Sequence, residues 1–384
     1  MGPKESIALE TGRPTRQTAA GRFVVVAFCC VTVLAPMLVG PAVAVEIDAQ
    51  AEARNVFRVG LGVYREISPA KGAAILAKAV ELDPTNALYA IYLSDALYAC
   101  GDRNASNEVA SEIPSLMRGE ALGYFHKGKR AQLRGDDEAA LFNFRESLVV
   151  GPSAHAFYEL VALEIKQGEL QAAETDLGIG LKLYPHDYYL HNLLGSVRHE
   201  QGRYAEAIAS FEEAIEDNPA LPWARINRGL TYHKKGDYDK ALEDFDAVLS
   251  VYPDQDRGRF FKALTLEKMK RYGAARTIID ELAKANPLDA SLWLVQGWLY
   301  YKTDKVRQGE AILKKYVQQE PDDPEGHYKL ATLYAGRRKT RDALARLRRA
   351  LELNRVQTLR WIRADAEWDH YRDSRKFKAL LEEE

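Results

Sequence analysis

Two stretches of this chain, GRYAEAIASFEEAIEDNP at 202–219 and GDYDKALEDFDAVLSVYP at 236–253, are one pattern displaced by 34 residues. Gly202 and Gly236, Tyr204 and Tyr238, Ala207 and Ala241, Phe211 and Phe245, Pro219 and Pro253 all keep that spacing. A fixed period of this length specifies a stack of similar supersecondary units, because no single unit can bury its own apolar face. Residues three and four apart, such as Ala207, Phe211 and Ala214, share one helical face. Small residues at equivalent places, Gly195 with Gly229 and Ala207 with Ala241, allow two helices to approach closely, and the aromatic beside them fills the groove. Pro219 and Pro253 carry no amide hydrogen and disfavour helix before them, so they end each second helix.

These residues resemble the tetratricopeptide repeat (TPR) family. The resemblance implies an all-α fold, a right-handed superhelical solenoid of antiparallel helix pairs. Extending the register outward places nine units over 53–357. Gly60, Ala79 and Pro84 mark the first; Leu97 and Gly101 a degenerate second, in which Pro114 is expected to end its helix early; Gly128, Gly135, Ala140, Phe144 and Pro152 the third. Gly168, Ala173 and Pro185 mark the fourth, Ala263, Tyr272, Ala275 and Pro287 the seventh, Trp293, Gly297, Tyr300 and Pro321 the eighth, and Ala331, Tyr334, Ala343 and Ala350 the ninth. Asp323-Pro324-Glu325 reads as an N-cap with proline in the first turn. The pattern lapses after Asn354, and 358–384 reads as capping helices whose apolar side is Trp361, Trp368, Phe377 and Leu380.

The N-terminus has another character. Lys4, Arg13, Arg16 and Arg22 precede an uncharged stretch at 23–40, and Ala42-Val43-Ala44 follows it. That order reads as a secretory signal over 1–44, cleaved to leave Val45 first, with 45–52 as a linker. An uncleaved anchor is the alternative, since 23–45 is long enough to span a bilayer. Export would put the repeats in the periplasm, or make them envelope-associated, in a bacterial cell. Cys29 and Cys30 lie in the apolar stretch, so cleavage leaves Cys100 alone and no internal disulfide is expected.

Little here suggests chemistry. The formal net charge of −2 argues against a general nucleic-acid binder. No phosphate loop, nucleophile elbow or H-E-x-x-H motif is present. His186, His191 and His199 are not spaced to bring three ligands to one helical face, so no metal, no cofactor and no enzymatic activity are expected. The basic run Arg337, Arg338, Lys339, Arg341, Arg346, Arg348 and Arg349 has two readings, a contact for an acidic partner or a lipid headgroup and a solvated surface balanced by Asp342, Glu352 and Asp365, of which the second is favoured.

In the TPR family the concave face is lined by repeat positions two, five, nine and twelve of each first helix, and there it binds a peptide or protein partner. The resemblance therefore points to Tyr158, Tyr189, Asn192, Trp223, Arg257, Phe260, Trp298, Tyr301 and Tyr328, with Asn227 at the adjoining position six, as a partner-binding groove. Aromatic and arginine side chains exposed there are the types that dominate binding hot spots. One TPR subclass grips a carboxylate with Lys and Asn. Asn192, Asn227 and Arg257 match it in part, but Asn192 occupies the lysine position and Phe261 replaces a second basic residue, so that function is not carried over. The expectation is a protein-interaction scaffold of the cell envelope. The rival readings are an accessory protein of polysaccharide export or handling, whose aromatics would stack on sugar rings, and a membrane-anchored assembly platform.

Overall fold

The small residue at position eight sets how closely each helix pair can pack. The protein is described here by a computed structural model covering residues 49–382 apart from 67, 118, 220 and 221. A β-carbon placed on Gly195 would stand 2.5 Å from the Phe211 ring, one on Gly229 2.8 Å from Phe245, and one on Gly128 2.6 Å from Phe144. All three rings are fully buried. Gly297 meets Leu313 in the same way, and where alanine replaces the glycine, at Ala263 and Ala331, the facing residue is Ile279 or Leu347. Volume removed on one helix is restored on the other, as close packing requires.

Eighteen helices follow in alternation. The first helices of the nine units are α1 (Ala49–Glu66), α3 (Ala87–Ala99), α5 (Glu120–Arg134), α7 (Ala154–Gln167), α9 (Tyr188–Glu200), α11 (Pro222–Lys235), α13 (Asp256–Lys268), α15 (Ala290–Lys302) and α17 (Pro324–Gly336). The second helices are α2 (Pro69–Leu82), α4 (Arg103–Leu116), α6 (Asp137–Val150), α8 (Leu170–Leu183), α10 (Tyr204–Asp217), α12 (Tyr238–Val251), α14 (Tyr272–Ala285), α16 (Val306–Gln319) and α18 (Thr340–Leu353). The described residues contain no strand, and no described helix is long and apolar enough to cross a membrane. Side-chain caps start many of these helices, among them Asn86, Asp102, Asp136, Ser153, Asp187 and Asp323, each accepting from the amide of the second or third residue of its helix.

The turn between first and second helices keeps one conformation. Position fifteen has positive φ in every unit from the second to the ninth: Gly101, Gly135, Gly168, Gly202 and Gly236, and then Lys270, Asp304 and Arg338 at φ 61°, 60° and 56°. Glycine adopts this conformation without a side-chain clash; the last three residues hold it at a cost of about 1–2 kcal/mol each.

Two compact units divide the described chain, 49–176 and 177–382, the division falling inside α8. In the second unit, α19 (Arg355–Ala364), a 3-10 turn (Ala366–Tyr371) and α20 (Arg375–Glu382) pack on α17 and α18. Trp368, fully buried, stacks on Phe377 with ring centroids 5.6 Å apart, and Leu380 is buried in the same cluster.

Two local expectations change. Pro114 does not stop α4, which runs on to Leu116 with proline in its last turn, where only one backbone hydrogen bond is forfeited. Helix α1 starts at Ala49, inside the stretch read as a linker, with Glu52 favourably placed in its first turn. The export segment at 1–44 lies outside the described residues.

Candidate functional site

In residues 49–176 the first helices are tied together by charge. Glu159 of α7 accepts from Arg65 of α1 at 3.0 Å, from Lys129 of α5 at 3.0 Å and from the Tyr92 hydroxyl of α3 at 3.1 Å. Lys129 also forms an ion pair with Asp95 of α3 at 2.9 Å. The side chains of all four charged residues are at most 5% exposed. The Arg65 guanidinium donates to Tyr92 at 2.8 Å and lies over the Tyr158 ring, 3.5 Å from its centroid. Residues 94 positions apart in sequence therefore touch, and this face of the first four units is filled by its own side chains.

The electrostatics follow from that geometry. Burial works against ionising Glu159, but Lys129 and Arg65 outweigh it and hold the carboxyl down at about 2. Burial dominates at Asp95 and raises its carboxyl, with Lys129 offsetting part of the effect. Burial also opposes charge on Lys129, yet Asp95 and Glu159 raise it well above the usual lysine value. His155, 3.5 Å from the Tyr92 hydroxyl, is pushed down to about 3 by burial and by Arg65. Two cations and two anions balance, and the network has no excess charge to offer a ligand.

The corresponding face of residues 177–382 is built differently. His199 and His233, both at position twelve, place Nδ1 2.8 Å and 2.9 Å from the hydroxyls of Thr231 and Thr265 in the next unit. Each threonine hydroxyl already donates to a carbonyl one turn back, Asn227 or Phe261, so each imidazole Nδ1–H is the donor. Asn227 donates to Asn192 at 3.1 Å and accepts from Arg257 at 3.3 Å. Arg257 also stands 5.5 Å from the Trp223 ring and 5.6 Å from Phe261. Trp298 donates its indole hydrogen to Glu267 at 3.0 Å, with the ammonium groups of Lys302 and Lys329 4.6 Å and 4.8 Å from its ring. Lys234, Lys268 and Lys302 all stand at position thirteen, 34 residues apart, and the first two are exposed.

The residues singled out from sequence divide by exposure. Tyr158, Tyr189, Trp223, Asn227, Trp298 and Tyr328 are buried, none above 9% exposed, which corrects the expectation that they project freely. Neighbouring first helices approach closely enough to cover them, and several of their polar ends are satisfied internally; Tyr328, for example, donates to Asp365 at 3.0 Å. Asn192, Arg257, Phe260 and Tyr301 are half-buried and keep an accessible edge, with Tyr301 donating to Glu367 at 2.8 Å. The three residues that partly matched a carboxylate grip are bonded to one another. Asp365, expected to balance the basic run, instead accepts from Tyr328 and Thr332. The buried network on Glu159 was missed. Its visible trace was Asp95 and Lys129, opposite charges at the same position of adjacent units.

Comparison with known proteins agrees with this architecture. Residues 195–236 match a family model described as TPR repeat, and residues 222–255 and 262–324 match two described as tetratricopeptide repeat. No curated protein matches the sequence. Among solved structures, a tetratricopeptide repeat protein from Parabacteroides merdae is similar at 18% identity with a TM-score of 0.50, over 68% of this chain and 97% of that one. PilF from Pseudomonas aeruginosa is 23% identical with a TM-score of 0.48, over 54% of this chain and 94% of its own. MamA from residue 41 to its end, from Desulfovibrio magneticus, is 23% identical with a TM-score of 0.40, over 44% of this chain and 96% of that one.

Proposed function

We propose, for a chain that is a tetratricopeptide repeat protein, that it is an interaction scaffold which holds a protein or peptide partner on the first-helix face of units five to nine. The observation that carries this reading is the contrast between the two faces. In 49–176 that face is consumed by the buried network on Glu159, whereas in 177–382 Asn192, Arg257, Phe260 and Tyr301 remain half-exposed and Lys234 and Lys268 are exposed. Half-buried arginine and aromatic side chains, held in place by neighbours, lose little freedom when a partner covers them.

Arg257→Ala is the direct test. It removes an anchor without emptying a core, and is expected to weaken binding by about 2 kcal/mol, roughly thirtyfold. Glu243→Ala, on the exposed side of α12, should leave binding unchanged. Capture from an envelope fraction identifies the partner, and titration with each variant measures the change. Equal affinity for wild type and Arg257→Ala would remove this face from consideration. Trp298→Ala is a poor probe, because a ring only 9% exposed serves the fold as well.

The same proposal places the protein outside the cytoplasmic membrane, exported by 1–44. The support is sequence order alone: basic residues, an apolar stretch, then a small-residue cleavage site. N-terminal sequencing of the processed protein should begin at Val45. A chain that retains Met1 and resists carbonate extraction would be anchored instead.

A further inference from the structure

The basic run of the ninth unit lines one side of an open pocket of about 440 Å³ between α16 and the pair α17 and α18, with Lys314, Lys339, Arg346, Arg349, Glu310 and Asp342 in its wall. The Glu310 carboxylate is shared by three cations: Lys314 at 2.8 Å, Arg337 at 2.8 Å and Lys339 at 3.4 Å. Its side chain is 14% exposed, and although burial opposes ionisation, Lys314 and Lys339 hold its carboxyl below the ordinary range. One negative charge cannot neutralise three positive ones.

Arg346 adds a fourth cation that is oriented without being neutralised. Its NH1 lies 3.5 Å from Nδ1 of His327. Nε2 of that imidazole is 2.9 Å from the Pro321 carbonyl, which can only accept, so Nε2 carries the hydrogen and Nδ1 presents a lone pair to the guanidinium. Among the described residues no carboxylate stands within ion-pair distance of Arg346. Arg349 does have carboxylate partners, Asp322 at 2.9 Å and Glu352 at 3.3 Å, but these are 80% and 53% exposed, and such pairs are weak. In the pocket wall itself, Lys314, Lys339, Arg346 and Arg349 face Glu310 and Asp342. Four positive groups against two negative leave a surplus of two.

A further positive contribution comes from the backbone. Lys339 is the N-cap of α18 and makes no side-chain cap, so the first amides of that helix are left without one. We propose that this pocket binds a phosphate-type dianion, with Arg346 and Lys339 as its principal ligands. A guanidinium offers two parallel donors to such a group, and a lysine offers a mobile point charge. The phosphate can belong to a soluble metabolite or to a lipid headgroup, since the chemistry is shared. The site is separate from the first-helix face proposed for the protein partner, so either assignment can fail without the other.

Calorimetric titration with pyrophosphate, beside sedimentation with phosphatidylcholine vesicles containing phosphatidic acid, distinguishes the sources. The full chain is expected to bind at least one probe saturably at low salt. Arg346→Met and Lys339→Met should each weaken that binding about tenfold or more, while Lys284→Met, an exposed lysine on α14, leaves it unchanged. Thermal melting of each variant establishes that it is folded. Saturable binding of pyrophosphate assigns a soluble ligand, and binding of vesicles alone assigns a headgroup. Failure of both probes to bind, or an equal effect of Lys284→Met and Arg346→Met, overturns the proposal in favour of an unspecific basic surface.

Discussion

Glu159→Ala is expected to cost about 3–5 kcal/mol, the usual result of removing one partner from a buried ion network. Three donors converge on this carboxylate, and its loss leaves Arg65 and Lys129 buried with only Asp95 to compensate two positive charges. Creating an uncompensated charge is worse than having no charges at all, so the cost should exceed that of deleting the pair entirely. Lys78→Ala is the matching control. Lys78 and Glu81 form an ion pair across one turn of α2 with side chains 59% and 66% exposed, and a pair of that kind contributes at most a few tenths of a kcal/mol. Urea denaturation of the two variants gives the comparison. A Glu159→Ala protein within about 1 kcal/mol of wild type would mean that water reaches the network.

Mild acid should be the second large perturbation. His199 is buried, hydrogen-bonded to Thr231, and pushed by burial from the ordinary histidine value of 6.5 to about 4. Its folded value lies below its unfolded value, so the stability it confers is complete above pH 6.5 and is lost as the pH falls toward 4. Between pH 7.5 and pH 5 this histidine alone should remove about 2 kcal/mol. His233, pushed to about 4 by burial and by Lys268, acts in the same direction, as does His155, pushed to about 3 by burial and Arg65. Glu159 contributes nothing in this window, because a carboxyl held at about 2 loses its stabilising effect only below the ordinary carboxylate value. Denaturant titrations at pH 7.5 and pH 5 should therefore show a clear loss, reduced in a His199→Gln variant. Equal midpoints at the two pH values would show that these imidazoles stay accessible to protons.

The helix pairs could be read from sequence because the residues that position them are local. Gly195 meets Phe211 sixteen residues later, Gly229 meets Phe245 at the same separation, and Pro219 and Pro253 fall just beyond their helices. A period of 34 displays such pairs repeatedly. The face of the first helices was less legible. Position five or nine says which way a side chain points, but not whether the next helix covers it, and that decides why Trp223 and Trp298 are buried while Phe260 keeps an exposed edge. The network on Glu159 joins helices from the first to the fourth unit, so its members look like ordinary solvated charges until the helices are stacked. His327 was half legible: its bond to the Pro321 carbonyl repeats that of His191 to Pro185, four units earlier, whereas only packing brings the Arg346 guanidinium to its other nitrogen.

What passes from one unit to the next at position fifteen is a torsion angle and not an amino acid. Five units meet the demand with glycine; Lys270, Asp304 and Arg338 meet it against the preference of an L side chain. The exchange trades backbone ease for chemical identity. A glycine tip shows solvent only bare peptide, alike in every unit that has one. The three later tips carry an ammonium, a carboxylate and a guanidinium in turn, all exposed, so loops of the same geometry become individually distinguishable from outside. Divergence at this position can thus label single repeats without altering the path of the chain.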